Sequence, residues 1–594
     1  MNMKDMAARR SLAWSIGVRA WAACLAAASL AACTKDRPTP AHAGVTSHFD
    51  VAAAQRAHDA AMRDTAQWAA YGRDYSNQRW STLASINTTN VSQLRPAWVH
   101  HSGIPHASET NPVVVDTVMY FTSALNNVFA VDARTGKTLW QYAYPYNGHT
   151  VVDCCSSNNK GVAVYGGRVF MATLDARLVA LDARTGRPVW TVQVGDNEAG
   201  YHMTGAPTVV DGLVITGVSG GEQGCRCYVD AYDAGDGHRV WRWYTVPSPA
   251  EGGWWGKWRA ADDWGMSFAR DLPTEHADSA KYPDAWRHGG APMWQHPAYD
   301  PATGLLFIDT GNPAPDIDAS KRPGDNLYTD CIVALDVKTG KLRWYFQEIS
   351  HDVWDYDATT PPVLVDVTDS TGQVTKAVAE AGKDGFVYVL DRATGKPVRK
   401  SAPVVPFLNY MVRPDSAGVV INPGPLGGSD WSPTAYSPQT GYLYVDGNYL
   451  PHKYWMEHMT LEEPAQYWGG TVEAQPSGTY GILSAVDLRT GRVAWHDSLS
   501  KPIISGSVAT AGGIVFTGGS DNQLMAFDAK SGRKLWSWRT DAAVNAPPIT
   551  YEVNGTQYVA VAVTGSQTLN TPRGDELVAF ALPPNAKAPP GTAP

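Results

Sequence analysis

The chain has 594 residues, of which 44% are hydrophobic and 18% charged, so a large core can be built and global disorder is excluded. Its 55 glycines and 40 prolines interrupt any long helix, which argues against helical bundles, helical solenoids and α/β folds and leaves an all-β protein. A net charge of −9 excludes a broad nucleic-acid footprint.

Arg9, Arg10 and Arg19 precede an apolar run from Ala20 to Leu30 that ends at Leu30-Ala31-Ala32-Cys33. The run is too short to span a bilayer, so residues 1–32 read as a lipoprotein-type signal peptide. Cys33 would then be lipidated and become the mature N-terminus; an ordinary signal peptide followed by an incidental cysteine is the alternative. Removing this segment deletes Lys4, Arg9, Arg10 and Arg19 against Asp5 and takes the net charge from −9 to −12. Residues 33–48 are Pro/Ala/Thr-rich and read as a flexible tether. Asp50 then caps a short Ala-rich helical pattern reaching about Trp68.

Residues 49–585 read as one domain, in which a single pattern repeats from Tyr71 onward. It reads AVDARTGKTLW at 130–140 and ALDARTGRPVW at 180–190, and returns at 231–241, 334–344, 389–399, 485–495 and 526–536, with a truncated LVAFAL at 577–582. Each copy is a strand ending in apolar-x-Asp, a turn with Thr-Gly or its equivalent, and a second strand closing on Trp, except that Arg399 closes the fifth. Asp can accept the turn's amides and Gly supplies the positive-φ position, so each copy predicts a hairpin. Most starts lie 41 to 55 residues apart, and two longer gaps hold insertions around 245–290 and 400–480. Seven copies and the truncated one predict an eight-bladed β-propeller with the tryptophans packed between blades; a β-solenoid is disfavoured because the units are too long for one coil. Residues 586–594 form a Pro/Ala-rich tail.

The cysteines that remain after processing are Cys33, Cys154, Cys155, Cys225, Cys227 and Cys331, too few for a general disulfide framework. The sequence contains no Cys-x-x-Cys-His, so an electron carrier with covalent haem of that kind is expected to be a separate protein. Cys154 and Cys155 are adjacent. A disulfide between neighbours is a strained ring seldom kept for stability, and two free buried thiols are the other reading. Cys225 and Cys227 either form a second strained link or stay as thiols.

DCCSSNNKG at 153–161 resembles the vicinal-disulfide segment of the pyrroloquinoline quinone (PQQ)-dependent alcohol dehydrogenases. The resemblance runs from YGRDYSNQRWSTLASINTTNVSQLRPAW at 71–98 to the last repeat. GNPAPD (311–316), RPGDNLYT (322–329) and HDVWDYD (351–357) are similar to the methanol and ethanol dehydrogenase branch. It implies that the Cys154–Cys155 ring lies against one face of the planar cofactor and Trp294 stacks on the other. It further implies cofactor contacts from Glu109, Thr204, Ser219, Gly220, Gly221 and Lys383, metal ligation by Glu222 and Asn312, and Asp355 as catalytic base. Lys160 stands where the family usually has an arginine, so a cation without the bidentate fork would meet that carboxylate.

The chemistry implied is oxidation of an alcohol to an aldehyde or ketone: a hard cation polarises the quinone carbonyl, Asp355 takes the hydroxyl proton and hydride passes to the cofactor. Oxygen ligands suit Ca²⁺ or a lanthanide rather than zinc or copper. Asp357 adds a third carboxylate where calcium-type relatives have a small residue, which tilts the expectation to a lanthanide; capping of the turn into ATTPP is its other reading. A polyol, sugar or cyclitol dehydrogenase of the same fold is the rival enzyme, and a propeller scaffold lipoprotein the non-enzymatic alternative. Export, the lipidated Cys33 and the acidic mature chain predict a membrane-tethered periplasmic protein that passes electrons to a basic cytochrome c-type acceptor.

Overall fold

The structure, a computed structural model, describes residues 49–146, 158–369, 371–461, 465–475 and 477–584. The signal peptide, the tether, Cys33, Cys154 and Cys155 and the C-terminal tail lie outside the described residues. Helix α1 (Val51–Arg63) starts as expected, with the Asp50 carboxylate accepting the Ala53 N–H at 2.9 Å. It stops five residues short of Trp68, because that residue already pairs as a β-bridge with Val114. A second short helix, α2 (Leu272–Ser279), lies in the 245–290 insertion.

The remainder is all-β. Among the described residues, seven antiparallel sheets of four strands span 113–142, 163–193, 208–244, 298–347, 363–400, 435–499 and 549–581, and an eighth at 507–539 gains Trp80–Ser81 as a parallel fifth strand. The 549–581 sheet borrows its outer strand from the N-terminal side: Arg95–His101 runs antiparallel to Glu576–Ala581, with Val99 opposite Val578. The truncated last repeat is completed in this way. The 400–480 insertion folds into a further three-stranded sheet of Val419–Ile421, His452–Met456 and Gly470–Ala474.

Each sheet buries apolar side chains against the next. Val128 and Met171 join the first pair, Phe170 and Val214 the second, and Ile215 and Leu306 the third. The series continues through Phe307 with Val378, Val365 with Leu443, and Tyr444 with Val515. Phe516, Phe580 and Phe121 share the last cluster, so the series returns to the first sheet. Such closure packs each of the eight main sheets against its neighbours, which is the packing logic of a β-propeller.

The repeat motif supplies the joints. Asp132 Oδ1 accepts the Arg134 N–H at 2.9 Å within the turn, and Gly136 sits at φ +68°. A Cβ on Gly136 would lie 2.5 Å from the Trp98 ring. Trp98 Nε1 in turn donates to the Ala133 carbonyl at 3.1 Å. Trp140 treats Ala183 and Gly186 alike, and Trp190, Trp241, Trp344 and Trp495 repeat the arrangement on Ala234, Val337, Arg392 and Ala529. The tryptophans therefore join neighbouring sheets, as the repeat predicts.

Candidate active site

In an antiparallel sheet the start of the first strand and the end of the second lie at the same edge. The expected site residues occupy those two places in sheet after sheet. Glu109, Thr204 and Trp294 each stand four residues ahead of a first strand, at Val113, Thr208 and Ala298. Ser219 to Glu222, Gly311-Asn312 and Lys383 directly follow the second strands Leu213–Gly217, Leu305–Asp309 and Val374–Ala381.

The structure brings Glu109 and Lys160 together. Lys160 Nζ lies 2.5 Å from Glu109 Oε2, both side chains are buried, and Asn158 Nδ2 donates to Glu109 Oε1 at 2.8 Å. The Lys160 ammonium also faces the Trp294 ring at 5.0 Å and the Trp431 ring at 5.3 Å. Thr204 Oγ1 and Ser219 Oγ approach to 3.5 Å, and the Ser219 N–H donates to the His202 carbonyl at 2.8 Å. Gly220 sits at φ +115°, and a Cβ there would strike the Gly200 carbonyl at 2.5 Å, so close backbone approach requires glycine.

A second cluster surrounds Lys383. Its ammonium donates to Asp355 Oδ1 at 2.9 Å, lies 2.7 Å from Asp357 Oδ2 and reaches Asp430 Oδ1 at 3.9 Å. Asp355 itself adopts φ +63°, a strained left-handed conformation for a non-glycine residue. The strain is held by Asp352, whose two carboxylate oxygens accept the Trp354 and Tyr356 N–H groups at 2.8 Å on either side of Asp355. Tyr356 and Trp354 are anchored in turn, by Tyr356 Oη to the Pro423 carbonyl at 2.7 Å and Trp354 Nε1 to the Val412 carbonyl at 2.8 Å. Buried Arg322 donates to the Pro315 and Asp352 carbonyls, which locks the GNPAPD, RPGDNLYT and HDVWDYD segments to one another.

Burial raises the Asp355 carboxyl well above its ordinary value; Lys383 opposes this and Asp357 adds to it. Asp357 does not cap the turn into ATTPP. Its Oδ1 accepts the Asn312 N–H, and the Thr359 and Thr360 amides go to Glu380 instead.

Sequence reasoning missed Asn158, Asp316, Asp430 and Trp431. Both Asp316 carboxylate oxygens are buried without a donor among the described residues, and burial together with Asp355, Glu222 and Asp357 pushes this carboxyl far up. Burial also raises Asp430 to about 6, against the pull of Lys383. A signal for Trp431 existed: it precedes the strand Ala435–Ser437 by four residues, as Trp294 precedes Ala298–Asp300.

Glu222, Asp355 and Asp357 are not closed to a common spacing of 4.8 Å. Among the described residues only the turn group Asp233, Asp236 and His238 meets it, and Asp236 and His238 there are exposed. Cys225 and Cys227 are both buried thiols: Cys225 Sγ donates to the Ala199 carbonyl at 3.6 Å and Cys227 Sγ to the Cys225 carbonyl at 3.9 Å. Cys331 Sγ donates to the Thr329 carbonyl at 2.9 Å.

Buried ammonium groups, paired hydroxyls and a half-buried indole fit a flat, anionic ring system, and the donorless Asp316 beside three further carboxylates fits a hard cation. A closed series of sheets carrying such a rim defines a cofactor-dependent propeller oxidoreductase. The family model of the PQQ glucose/ethanol/alcohol dehydrogenase β-propeller domain matches residues 68–405 and 470–559, and the chain belongs to this family as a PQQ-dependent alcohol dehydrogenase.

Among curated relatives, quinoprotein alcohol dehydrogenase PedH of Pseudomonas putida is 36% identical, with 82% of this chain and 84% of the relative covered. Quinoprotein ethanol dehydrogenase of Pseudomonas aeruginosa is 35% identical, with 83% and 85% covered. Among solved structures, a europium-containing methanol dehydrogenase aligns at 32% identity and TM-score 0.79 over 88% of this chain and 99% of that one.

Proposed function

We propose that this protein is a periplasmic PQQ- and metal-dependent dehydrogenase that oxidises an alcohol to an aldehyde or ketone, with Asp355 as the general base. The observation that carries the reading is Lys383 bridging Asp355 and Asp357 next to the donorless Asp316.

Lys160, Thr204, Ser219, Gly220, Gly221 and Lys383 would hold the quinone's polar edge, with Trp294 on one face and the Cys154–Cys155 pair on the other. Glu222, Asn312, Asp355 and Asp357, joined by Asp316, would hold the cation. When bound, PQQ supplies the electron sink that takes up the alcohol's hydride. Asp355 accepts the hydroxyl proton, which requires it to be ionised. Lys383 favours that form, and a cation alongside acts in the same direction. Glu109, paired with Lys160, would contact the cofactor as well.

Asp357 favours a lanthanide over Ca²⁺, because a trivalent ion calls for more carboxylate charge. The europium-containing relative supports this choice. The eight sheets are read as eight blades. Residues 1–32 direct export, a lipidated Cys33 with the 33–48 tether holds the propeller at a membrane, and a separate cytochrome c-type protein takes the electrons. Among the described residues no helix is long and apolar enough to cross a membrane.

The test is dye-linked oxidation after loading with PQQ and either La³⁺ or Ca²⁺, screened over primary alcohols, polyols and sugars. Activity on an alcohol is expected. Asp355→Asn should lower kcat by on the order of 10³-fold while PQQ absorbance of the loaded protein persists. Absence of PQQ binding, or full activity in Asp355→Asn, would overturn the reading.

A further inference from the structure

Behind the active-site loop lies a second set of acids that the reaction does not use. Asp309, Glu348 and Glu380 are buried on the strands Leu305–Asp309 and Val374–Ala381 and directly after Leu342–Gln347. Asp309 precedes Asn312 by three residues, and Glu380 precedes Lys383 by three, so equivalent places in neighbouring sheets each put a carboxyl beneath a site residue.

Glu380 Oε1 accepts the backbone N–H groups of Thr359 and Thr360, each at 3.1 Å, and the Thr360 hydroxyl at 3.4 Å. Thr360 Oγ1 accepts the Ala381 N–H at 3.0 Å, which ties the loop to the strand from both sides. The loop so held begins at Asp355. Glu348 works on the other flank: a Cβ on Gly382, the residue before Lys383, would lie 2.6 Å from Glu348 Oε2 and 2.9 Å from Asp384 Oδ1.

Charge makes the arrangement informative. Both oxygens of Asp309 and of Glu348, and Glu380 Oε2, are buried with no N–H or hydroxyl donor among the described residues. Three ionised carboxylates in such a place would each carry a desolvation penalty of several kcal/mol. Their ligand atoms also fail the spacing that one ion requires. Protons shared between the carboxyls would satisfy these atoms. Burial and the neighbouring Glu380 raise Glu348 well above its ordinary value, and burial raises Glu380 to about 7 while its contacts to Glu348, Thr359 and Thr360 oppose the rise. The groups facing Glu348 and Glu380 are Asp309 and Asp384, and Asp384 is offset by Lys400.

We propose that Glu380 is a positioning residue: as a carboxylate capped by the acid proton of Glu348, it clamps Thr359 and Thr360 and thereby fixes Asp355 against Lys383. The inference rests on the assignment of Asp355 as base. A displacement of the base by about 1 Å is enough to cost on the order of 100-fold in rate.

The test combines hydrogen exchange of the 355–362 peptide, infrared detection of a protonated carboxylic acid at pH 8, and steady-state kinetics of the loaded enzyme. Glu380→Leu should accelerate exchange at Thr359 and Thr360 and lower kcat by on the order of 100-fold, with KM for the alcohol changed less than about twofold. In the difference spectrum one acid component of the wild type should be lost in Glu348→Gln, while the other buried carboxyls keep theirs. Glu348→Leu should loosen the same peptide, and Glu348→Gln, whose amide replaces the donor, should restore exchange and kcat relative to it. If Glu380→Leu fails to fold, the Leu and Gln pair at 348 decides alone. Wild-type exchange and kcat in a folded Glu380→Leu, no rescue by Gln over Leu at 348, or no acid component lost in Glu348→Gln would overturn the proposal. Exchange and infrared answer even if the wild type oxidises no alcohol, so failure of this inference is separable from failure of the base assignment.

Discussion

Asp357 Oδ2 lies 2.7 Å from Lys383 Nζ while its Oδ1 accepts the Asn312 N–H, so one side chain ties the cationic and amide sides of the site together. Removing it as alanine would break the Asn312 contact as well as the charge. Asp357→Asn removes the charge and the Lys383 contact but keeps the Asn312 contact, because the amide oxygen still accepts there. Apo-protein titrated with La³⁺, Ce³⁺ and Ca²⁺ should gain more activity from the trivalent ions in the wild type. In Asp357→Asn the lanthanide response should disappear and the calcium response remain. Equal activation of both proteins by La³⁺ would show that Asp357 is not a ligand.

The joints between sheets can be tested with two glycines of the same backbone conformation. Gly103 at φ +73° has open space where a Cβ would go, so Gly103→Ala should cost about 1 kcal/mol from left-handed strain alone. Gly136 at φ +68° has the Trp98 ring 2.5 Å from that point. Gly136→Ala should therefore cost about 2 kcal/mol more, through overpacking at the joint between the first and last sheets. Denaturation midpoints of the two variants measure the difference, and equal midpoints would remove the packing argument.

The repeats were legible because each carries its own turn chemistry within eleven residues, as Asp132, Gly136 and Trp140 show. Local pattern does not assign Trp98 its joint, since its sheet partner Ala579 lies at the other end of the chain. Glu109, Lys160, Asp355 and Lys383 were reached through resemblance of whole segments, and the structure gathers them into two ion-paired clusters. Asp430 stands just ahead of the strand Ala435–Ser437 with no motif of its own, and Trp431 is marked only by its place four residues before that strand; the contacts that give them roles come from Lys383 and Lys160, which other sheets deliver. Glu348 and Glu380 read as ordinary strand-end acids, because burial without a countercharge is a property of packing and leaves no local pattern.

Arg399 is the one exception in the motif, and its place is otherwise intact. It packs on Gly491, with Arg399 Cδ 2.9 Å from the position of a Cβ there, and its buried Nε has no hydrogen-bond partner. Trp344 in the preceding repeat donates instead to the carbonyl of Arg392, the residue after the turn aspartate. Leu488 holds the corresponding carbonyl for position 399. Arg399→Trp should gain that hydrogen bond, remove an orphaned donor and stabilise the protein by about 1 kcal/mol. A lower denaturation midpoint would mean that the fifth joint has diverged in shape as well as in residue type.

His58 makes the attachment of α1 sensitive to acid. It is buried, packed edge-on against Tyr75 at 5.6 Å and Tyr165 at 5.4 Å, and burial lowers its pKa from 6.5 to about 4 despite the neighbouring Asp59. The folded value lies below the unfolded one, so the unfolded state takes up the proton first as pH falls. The neutral ring's contribution is complete above about pH 6.5, declines by about 1.4 kcal/mol per pH unit below it, and levels off near pH 4 after a loss of about 3 kcal/mol. Hydrogen exchange of the 51–63 peptide should accordingly speed up between pH 6.5 and 4.5, relative to the intrinsic rate. His58→Leu keeps an apolar side chain between the two tyrosines and carries no proton, so its protection should be flat over that range. Because His296 and His452 are also lowered to about 4, global unfolding shares the same slope, and the local readout on α1 is the one that isolates His58. A pH slope in His58→Leu as steep as in the wild type would assign the acid sensitivity of the helix to another group.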